Sequence, residues 1–136
     1  MQKLATLLRA AQFYAHASHN LTRGATFFQD HEAFGSFYEA YEEAYDKVVE
    51  QMIGLRQNPN LQAILTAAAE RANQLADPAL FTTDVMYGVL AQFESEIQAE
   101  IDAIYADTDI GTQNLLAQLF EDSQHRGNYK IGQRLK

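Results

Sequence analysis

The chain of 136 residues has the length of one domain and can form a hydrophobic core without disulfides. It contains no cysteine, which excludes thiolate zinc sites, iron–sulfur clusters and cysteine nucleophiles and leaves carboxylate and imidazole groups as the strong metal ligands. The 18 acidic and 10 basic residues give a formal net charge of -8, so we expect the protein to attract cations and not to bind DNA.

A first helix is predicted from about residue 2 to Arg23, with Gly24 ending it. Its apolar residues keep the three-and-four spacing of an amphipathic helix: Leu4, Leu7, Leu8, Ala11, Tyr14 and Ala15. Arg9 and Gln12 interrupt the apolar run, which favours a helix of the mature protein over a signal peptide. No segment approaches the roughly 20 apolar residues that span a bilayer, so we expect a soluble, cytoplasmic protein without membrane association.

A second, longer helix is predicted from about Phe27 to Ile53. Thr26 and Gln29 form a capping-box pattern at its start, in which the two side chains satisfy free backbone N–H groups. Gly54 is expected to end this helix.

Two more helices are predicted in the middle of the chain. A short one covers about Pro59 to Leu75, with Asn58 as its cap and the proline in its first turn. Thr82 or Thr83 caps a third long helix, which reaches about Tyr105.

The last helix is predicted to start near Asp109 or Thr112 and to run toward the C-terminus, with final turns weakened by Gly127 and Gly132. The helix dipole explains four basic residues near its end: Arg126, Lys130, Arg134 and Lys136. No alternating strand pattern occurs. The sequence therefore predicts an all-α fold, a four-helix bundle with a short extra helix in the connection between helices two and three, in one domain of residues 1–136.

Residues with metal-ligating side chains lie at both ends of the predicted second helix. His31 is near its start, Asp46 and Glu50 are near its end, and His19 precedes His31 across a glycine turn. At about 1.5 Å per residue, His31 and Asp46 are roughly 22 Å apart, whereas metal–ligand bonds measure about 2.0 to 2.2 Å. An antiparallel second copy, related by a twofold axis near residues 38–41, would bring His31 of one chain to the two acids of the other. The spacing predicts a dimer with two metal sites.

A recognisable motif underlies these positions: a histidine on the first helix, a glycine turn, a phenylalanine, His-Glu on the second helix and Asp-x-x-x-Glu further on. Its members are His19, Gly24, Phe27 and Phe28, His31 with Glu32, and Asp46 with Glu50. The stretch from Ser18 to Gln51 thereby resembles the Dps family of ferritin-like proteins, the mini-ferritins. The short helix after it and the later stretch DIGTQNLLAQLFED also resemble the family's pattern.

The resemblance implies a ferritin-like fold and a hollow dodecamer built from twofold dimers. Such a homo-oligomer oxidises Fe(II) with peroxide or oxygen and stores Fe(III) inside. By this resemblance His19 and His31 of one subunit, with Asp46 and Glu50 of its mate, are the metal ligands and catalytic residues of a ferroxidase. Iron is the expected metal, and zinc or manganese are alternatives.

The chain departs from the family's pattern at several positions. Gly35 stands where a carboxylate usually follows the second histidine by four residues, which leaves the site one ligand poorer. Asn20 follows His19 where tryptophan is frequent, so an electron donor near the metal would be a tyrosine, and the candidates are Tyr38, Tyr41 and Tyr45. The first helix is predicted to begin almost at Met1, so we do not expect the lysine-rich N-terminal extension that binds DNA in some members. The alternative function is a non-catalytic metal-binding or structural helical assembly that has lost full ferroxidase activity.

Other residues allow two interpretations. His16, one turn before His19, is either an added ligand or an interface histidine, and His125 is expected to be structural or exposed. Three acids either hold a second ion or form a solvated face: Glu32, Glu39 and Glu43. Several aromatic residues are expected at the dimer interface: Phe27, Phe28, Phe34, Phe37, Tyr38, Tyr41 and Tyr45. Four more acids either line a cation pore of a cage or are ordinary surface acids: Asp107, Asp109, Glu121 and Asp122.

Overall fold

A computed structural model describes the whole chain, from Met1 to Lys136, and the chain is all-helical, as the sequence predicts. The helices are α1 (Gln2–Leu21), α2 (Phe27–Gly54), α3 (Leu61–Asn73), α4 (Thr83–Ile104) and α5 (Ile110–Ser123). A 3₁₀ turn, Tyr105–Asp107, joins α4 to α5. Beyond α5 the chain continues as a π-helix (Gln124–Ile131) and a final turn, α6 (Gly132–Arg134), which together we call the C-terminal segment.

Helix α1 runs antiparallel to α2, as two contacts at opposite ends show. The guanidinium of Arg9 lies 3.7 Å from the ring centre of Tyr45, and the rings of His19 and His31 are 3.7 Å apart. Helix α1 also packs against α3 and α4. These contacts bury nine residues of α1, which fits the three-and-four spacing of its apolar residues.

Helices α2 and α4 run in the same direction. The Tyr87 hydroxyl of α4 reaches Asp30 near the start of α2, and Glu94 of α4 reaches Tyr41 further along α2. The C-terminal segment returns antiparallel along α4 and ends with Arg134 paired to Asp84. The order of directions along the chain is therefore up, down, down, up, with α3 in the one long crossover.

A single cluster of 28 buried apolar side chains lies between these helices. The largest of its fully buried members are Tyr41, Phe34, Phe93, Leu4, Leu8 and Ile64. Helix α3 contributes only Ile64 and Ala68, because it packs on α1 by one narrow stripe. No helix is long and apolar enough to cross a membrane.

The ends of α1 and α2 differ from the predicted ends. Helix α1 stops at Leu21, short of the predicted Arg23, and Gly24 lies in the turn with a positive φ of 99° that favours glycine. The predicted capping box is wrong, since the Thr26 hydroxyl donates to the Asp30 carboxylate at 2.6 Å instead of accepting from the helix N–H groups. Helix α2 includes Gly54, and Arg56 adopts the left-handed conformation two residues later.

The starts of the later helices are set by side-chain caps. Asn60, and not Asn58, accepts a hydrogen bond from the backbone of Ala63, so α3 is shorter than predicted. Thr82 caps α4, as one of the two predicted alternatives. Asp109 accepts from the backbone N–H of Thr112 at 2.8 Å, and this bond lowers the pKa of Asp109 below its usual range.

The C-terminal segment is not a weakened α-helix. Its hydrogen-bond pattern widens to a π-helix, a rare conformation that is frequent at functional sites. A Cβ on Gly127 would lie 2.7 Å from the Cβ of Glu94, so this glycine allows close approach to α4. Arg126 and Arg134 pair with buried acids, which corrects their assignment to the helix dipole.

Candidate metal site

His19 and His31 form a pair across the α1–α2 turn. Their rings stack with centres 3.7 Å apart and planes inclined by 21°. Nδ1 of His19 lies 2.7 Å from the backbone oxygen of His31, and Nδ1 of His31 lies 2.7 Å from the backbone oxygen of His19. The sequence predicts a common site for these two residues, and the fold brings them into direct contact.

The two hydrogen bonds fix the form of each imidazole. A carbonyl oxygen only accepts, so each Nδ1 must carry the proton and donate it. In the neutral ring Nε2 then holds a free lone pair. The buried polar atoms that lack a hydrogen-bond partner are Arg9 Nε and Ser18 Oγ, so the Nε2 atoms of these histidines are not among them. A backbone carbonyl on one ring nitrogen is the usual arrangement behind a histidine that binds metal through the other nitrogen.

His16 and Tyr38 extend this pair along the α1–α2 surface. The ring of exposed His16 stacks on half-buried Tyr38 with centres 4.3 Å apart, and the Tyr38 ring meets His19 edge-on at 5.3 Å. Among the three tyrosines named as possible electron donors, Tyr38 alone contacts the histidines in this way. Tyr41 and Tyr45 are buried.

Asp46 and Glu50 lie on the same continuous helix as His31 but far along it. Both are exposed, and an i, i+4 spacing places them on neighbouring positions of one face. Asp46 lies fifteen positions after His31, which corresponds to about 22 Å of helix. Within one chain no group of three His, Asp or Glu residues is close enough together to hold a metal ion. Any four-ligand site at these residues requires donors from another chain.

Several aromatic residues predicted for a dimer interface belong to the interior of the chain itself. Phe34, Phe37, Tyr41 and Tyr45 are at most 5% exposed, since they point toward the core between α2 and its neighbours. Phe28, by contrast, is 80% exposed. The members of the predicted aromatic series that stay at least partly exposed are Phe27, Phe28 and Tyr38.

The remaining acidic and histidine candidates have local roles or none. Glu43 pairs with Lys47 at 3.2 Å on the exposed side of α2. Asp122 accepts a hydrogen bond from Gln118, in addition to the capping role of Asp109 described above. His125 is exposed and stacks on Tyr129, as the exposed interpretation expects.

Two buried carboxylates, neither of them singled out by the sequence, occupy the interior. Glu94 is 1% exposed and accepts from the Tyr41 hydroxyl at 2.6 Å, the Ser123 hydroxyl at 2.6 Å and the Arg126 guanidinium at 2.7 Å. Burial and the Glu94 carboxylate raise the pKa of Tyr41 well above its usual value. The one sequence signal for this network is an acid on the inner face of α4, directly after Phe93.

Asp30 has an equivalent set of partners at the other end of α2. It is 2% exposed and accepts from Thr26, from Tyr87 at 2.8 Å and from Arg134 at 3.3 Å. Burial by itself would raise the pKa of this carboxyl, but the three donors together lower it below its usual 3.8. Because arginines neutralise both buried acids, the interior offers no free carboxylate to a metal.

Comparison with known proteins gives no further assignment. No protein family, curated protein or solved structure gives a significant match to this chain.

Proposed function

We propose that the protein is an iron-binding mini-ferritin, which oxidises Fe(II) at sites shared between subunits and stores Fe(III) in a cage. The observation that carries the proposal is the His19–His31 pair, with each Nδ1 bonded to a backbone carbonyl and each Nε2 free. This arrangement prepares two nitrogen donors at the surface. The acids they lack, Asp46 and Glu50, stand exposed on the same helix and reach the histidines only across a twofold axis.

The directions of the helices support the same proposal. An up, down, down, up order with one long crossover is the connectivity of ferritin-like bundles. The arginine-neutralised interior argues for a site at the α1–α2 surface, and not in the bundle core. We therefore propose a dimer through this surface and, by the resemblance described above, further assembly to a dodecamer.

In this mechanism the chain's own groups bind and orient the iron substrate. His19 and His31 offer neutral nitrogen to incoming Fe(II), and Asp46 and Glu50 of the mate supply negative charge that favours Fe(III). With peroxide as oxidant, two Fe(II) ions give up one electron each, and one hydrogen peroxide takes up these electrons and two protons to leave as two waters. The net negative charge of the chain favours retention of the ferric product.

A second candidate is a metal-binding assembly without oxidase activity, with zinc as the bound ion. The observation behind it is Gly35, which removes one carboxylate from the pattern that the ferroxidase family usually has. Aerobic addition of Fe(II) separates the two, because ferric absorbance grows faster than in buffer only for an oxidase.

Mixed dimers test the proposed shared site directly. One variant carries His19→Ala and His31→Ala, and the other carries Asp46→Ala and Glu50→Ala. Each variant alone should oxidise Fe(II) no faster than buffer in stopped-flow measurements. In an equimolar refolded mixture half of the twofold dimers pair the two variants, and one site of each such dimer holds all four donors, so about a quarter of the wild-type sites should return.

The matched control is the pair of unmixed variants, refolded in the same way. Recovery of activity on mixing cannot come from a site within one chain, since every chain in the mixture lacks two donors. Full wild-type oxidation by either variant alone, or no recovery in mixtures that demonstrably contain mixed dimers, would overturn the proposal.

A further inference from the structure

Gly35 lies on α2 directly beneath the ring of His19. A Cβ at this position would stand 3.0 Å from Nδ1 and 3.1 Å from Cε1 of that ring, which is tighter than nine in ten Cβ contacts in proteins. Its backbone φ is not of the left-handed kind, so the need for glycine here is one of space. Gly54 and Gly88, which also lie in helices, have nothing within 4 Å of such a Cβ.

The His19 ring has little freedom to yield to an added methyl group. Its Nδ1 is held 2.7 Å from the His31 carbonyl oxygen, and its face stacks 3.7 Å from the His31 ring. Movement away from Gly35 would stretch this hydrogen bond or open the stack. A side chain at position 35 therefore requires the imidazole to shift by a few tenths of an ångström against these two contacts.

We propose that Gly35 is a positioning residue for the metal site and sets its donor chemistry. Without a side chain at position 35, the His19 imidazole lies on α2 beside His31, so this face presents two nitrogen donors and no third carboxylate. A site with these two nitrogen donors selects divalent ions that accept imidazole, such as Fe(II), Co(II) and Zn(II). It selects against Mg(II) and Ca(II), which require oxygen ligands. The inference rests on the proposed metal-binding function and adds its selectivity.

The test compares Gly35→Ala with Gly88→Ala, a mid-helix substitution in open space. Nitrogen-15 NMR of the imidazoles in the metal-free protein reports whether Nδ1 of His19 keeps its proton and its hydrogen bond. Titration with Co(II), which mimics Fe(II) without oxidation, reports affinity, with excess Mg(II) as competitor. Gly88→Ala should match the wild type in both, and Gly35→Ala should change the His19 signals and weaken Co(II) binding about tenfold or more.

A third variant keeps the test meaningful if Gly35→Ala perturbs folding. In a His19→Ala background the ring is gone, so adding Gly35→Ala should not weaken Co(II) binding further and should leave thermal stability unchanged or slightly raised, as for Gly88→Ala. A second loss in that background would overturn the inference, because the methyl group would then act elsewhere.

The outcomes also separate this inference from the function it rests on. Normal His19 signals and normal Co(II) binding by Gly35→Ala would overturn the role of Gly35 and leave the metal site in place. Failure of the unchanged protein to bind Co(II) would overturn both.

Discussion

The buried pair of Glu94 and Arg126 predicts a large loss of stability when one partner is removed. Arg126→Met keeps most of the apolar stem but leaves the Glu94 carboxylate, 1% exposed, with only two hydroxyl donors, from Tyr41 and Ser123. Breaking a buried ion pair from one side costs about 3 to 5 kcal/mol. The two hydroxyls offset part of this penalty, so we expect about 3 kcal/mol and a fall in Tm of about 10 °C.

Urea and thermal unfolding followed by circular dichroism measure this loss. The matched control is Lys47→Met, which breaks an exposed pair with Glu43 and should cost less than about 1 kcal/mol. A double variant, Glu94→Gln with Arg126→Met, removes the uncompensated charge and should recover about 1 kcal/mol or more of the single variant's loss. Equal effects of Arg126→Met and Lys47→Met would refute the view that the buried pair stabilises the C-terminal segment.

Two further predictions concern the interior. Because the pKa of Asp30 is lowered by folding, this residue stabilises the fold above its ordinary pKa of 3.8 and loses the contribution as the pH falls through the lower folded value. Asp30→Asn should therefore flatten the fall in stability below about pH 4 in acid titrations. The same fall in the variant as in the wild type would contradict this. Gly127→Ala places a methyl group 2.7 Å from the Cβ of Glu94 and should destabilise the fold by about 1 to 3 kcal/mol. Gly88→Ala lies in open space and should stabilise the fold by up to about 1 kcal/mol. Changes in unfolding free energy of the same sign for both variants, measured by chemical denaturation, would contradict this.

The order and approximate lengths of the five helices are predictable from the sequence. Apolar periodicity depends on local spacing, and Thr82 and Asp109 act as caps within three residues of the groups they satisfy. Local rules fail where a distant residue orients an alternative partner for a side chain. Thr26 has the spacing of a capping residue, but the Asp30 carboxylate, ordered by Tyr87 of α4, takes its hydroxyl.

The C-terminal segment marks the limit of local reasoning most clearly. Arg126 bonds to Glu94, 32 residues earlier, and Arg134 bonds to Asp30, 104 residues earlier. Neither pairing can be predicted from sequence spacing. By local propensity Gly127 weakens the last helix, and its role in close packing against α4 is visible only in the fold. The contact of His19 with His31, by contrast, can be predicted from the sequence, since a short glycine turn between two helices brings their adjoining ends together.

The interior network and the candidate metal site are linked through α2. Asp30 and His31 are adjacent in sequence, so their side chains leave the helix about 100° apart. Asp30 points toward α4 and the C-terminal segment, and His31 points toward α1. Pairing of Asp30 with Arg134, together with the buried apolar face of α2, therefore helps to set the rotation of α2 about its own axis. That rotation also sets the direction in which His31, Asp46 and Glu50 face. A twofold site built from both ends of one helix requires such a fixed rotation, because an error at either end misplaces the donors in both sites.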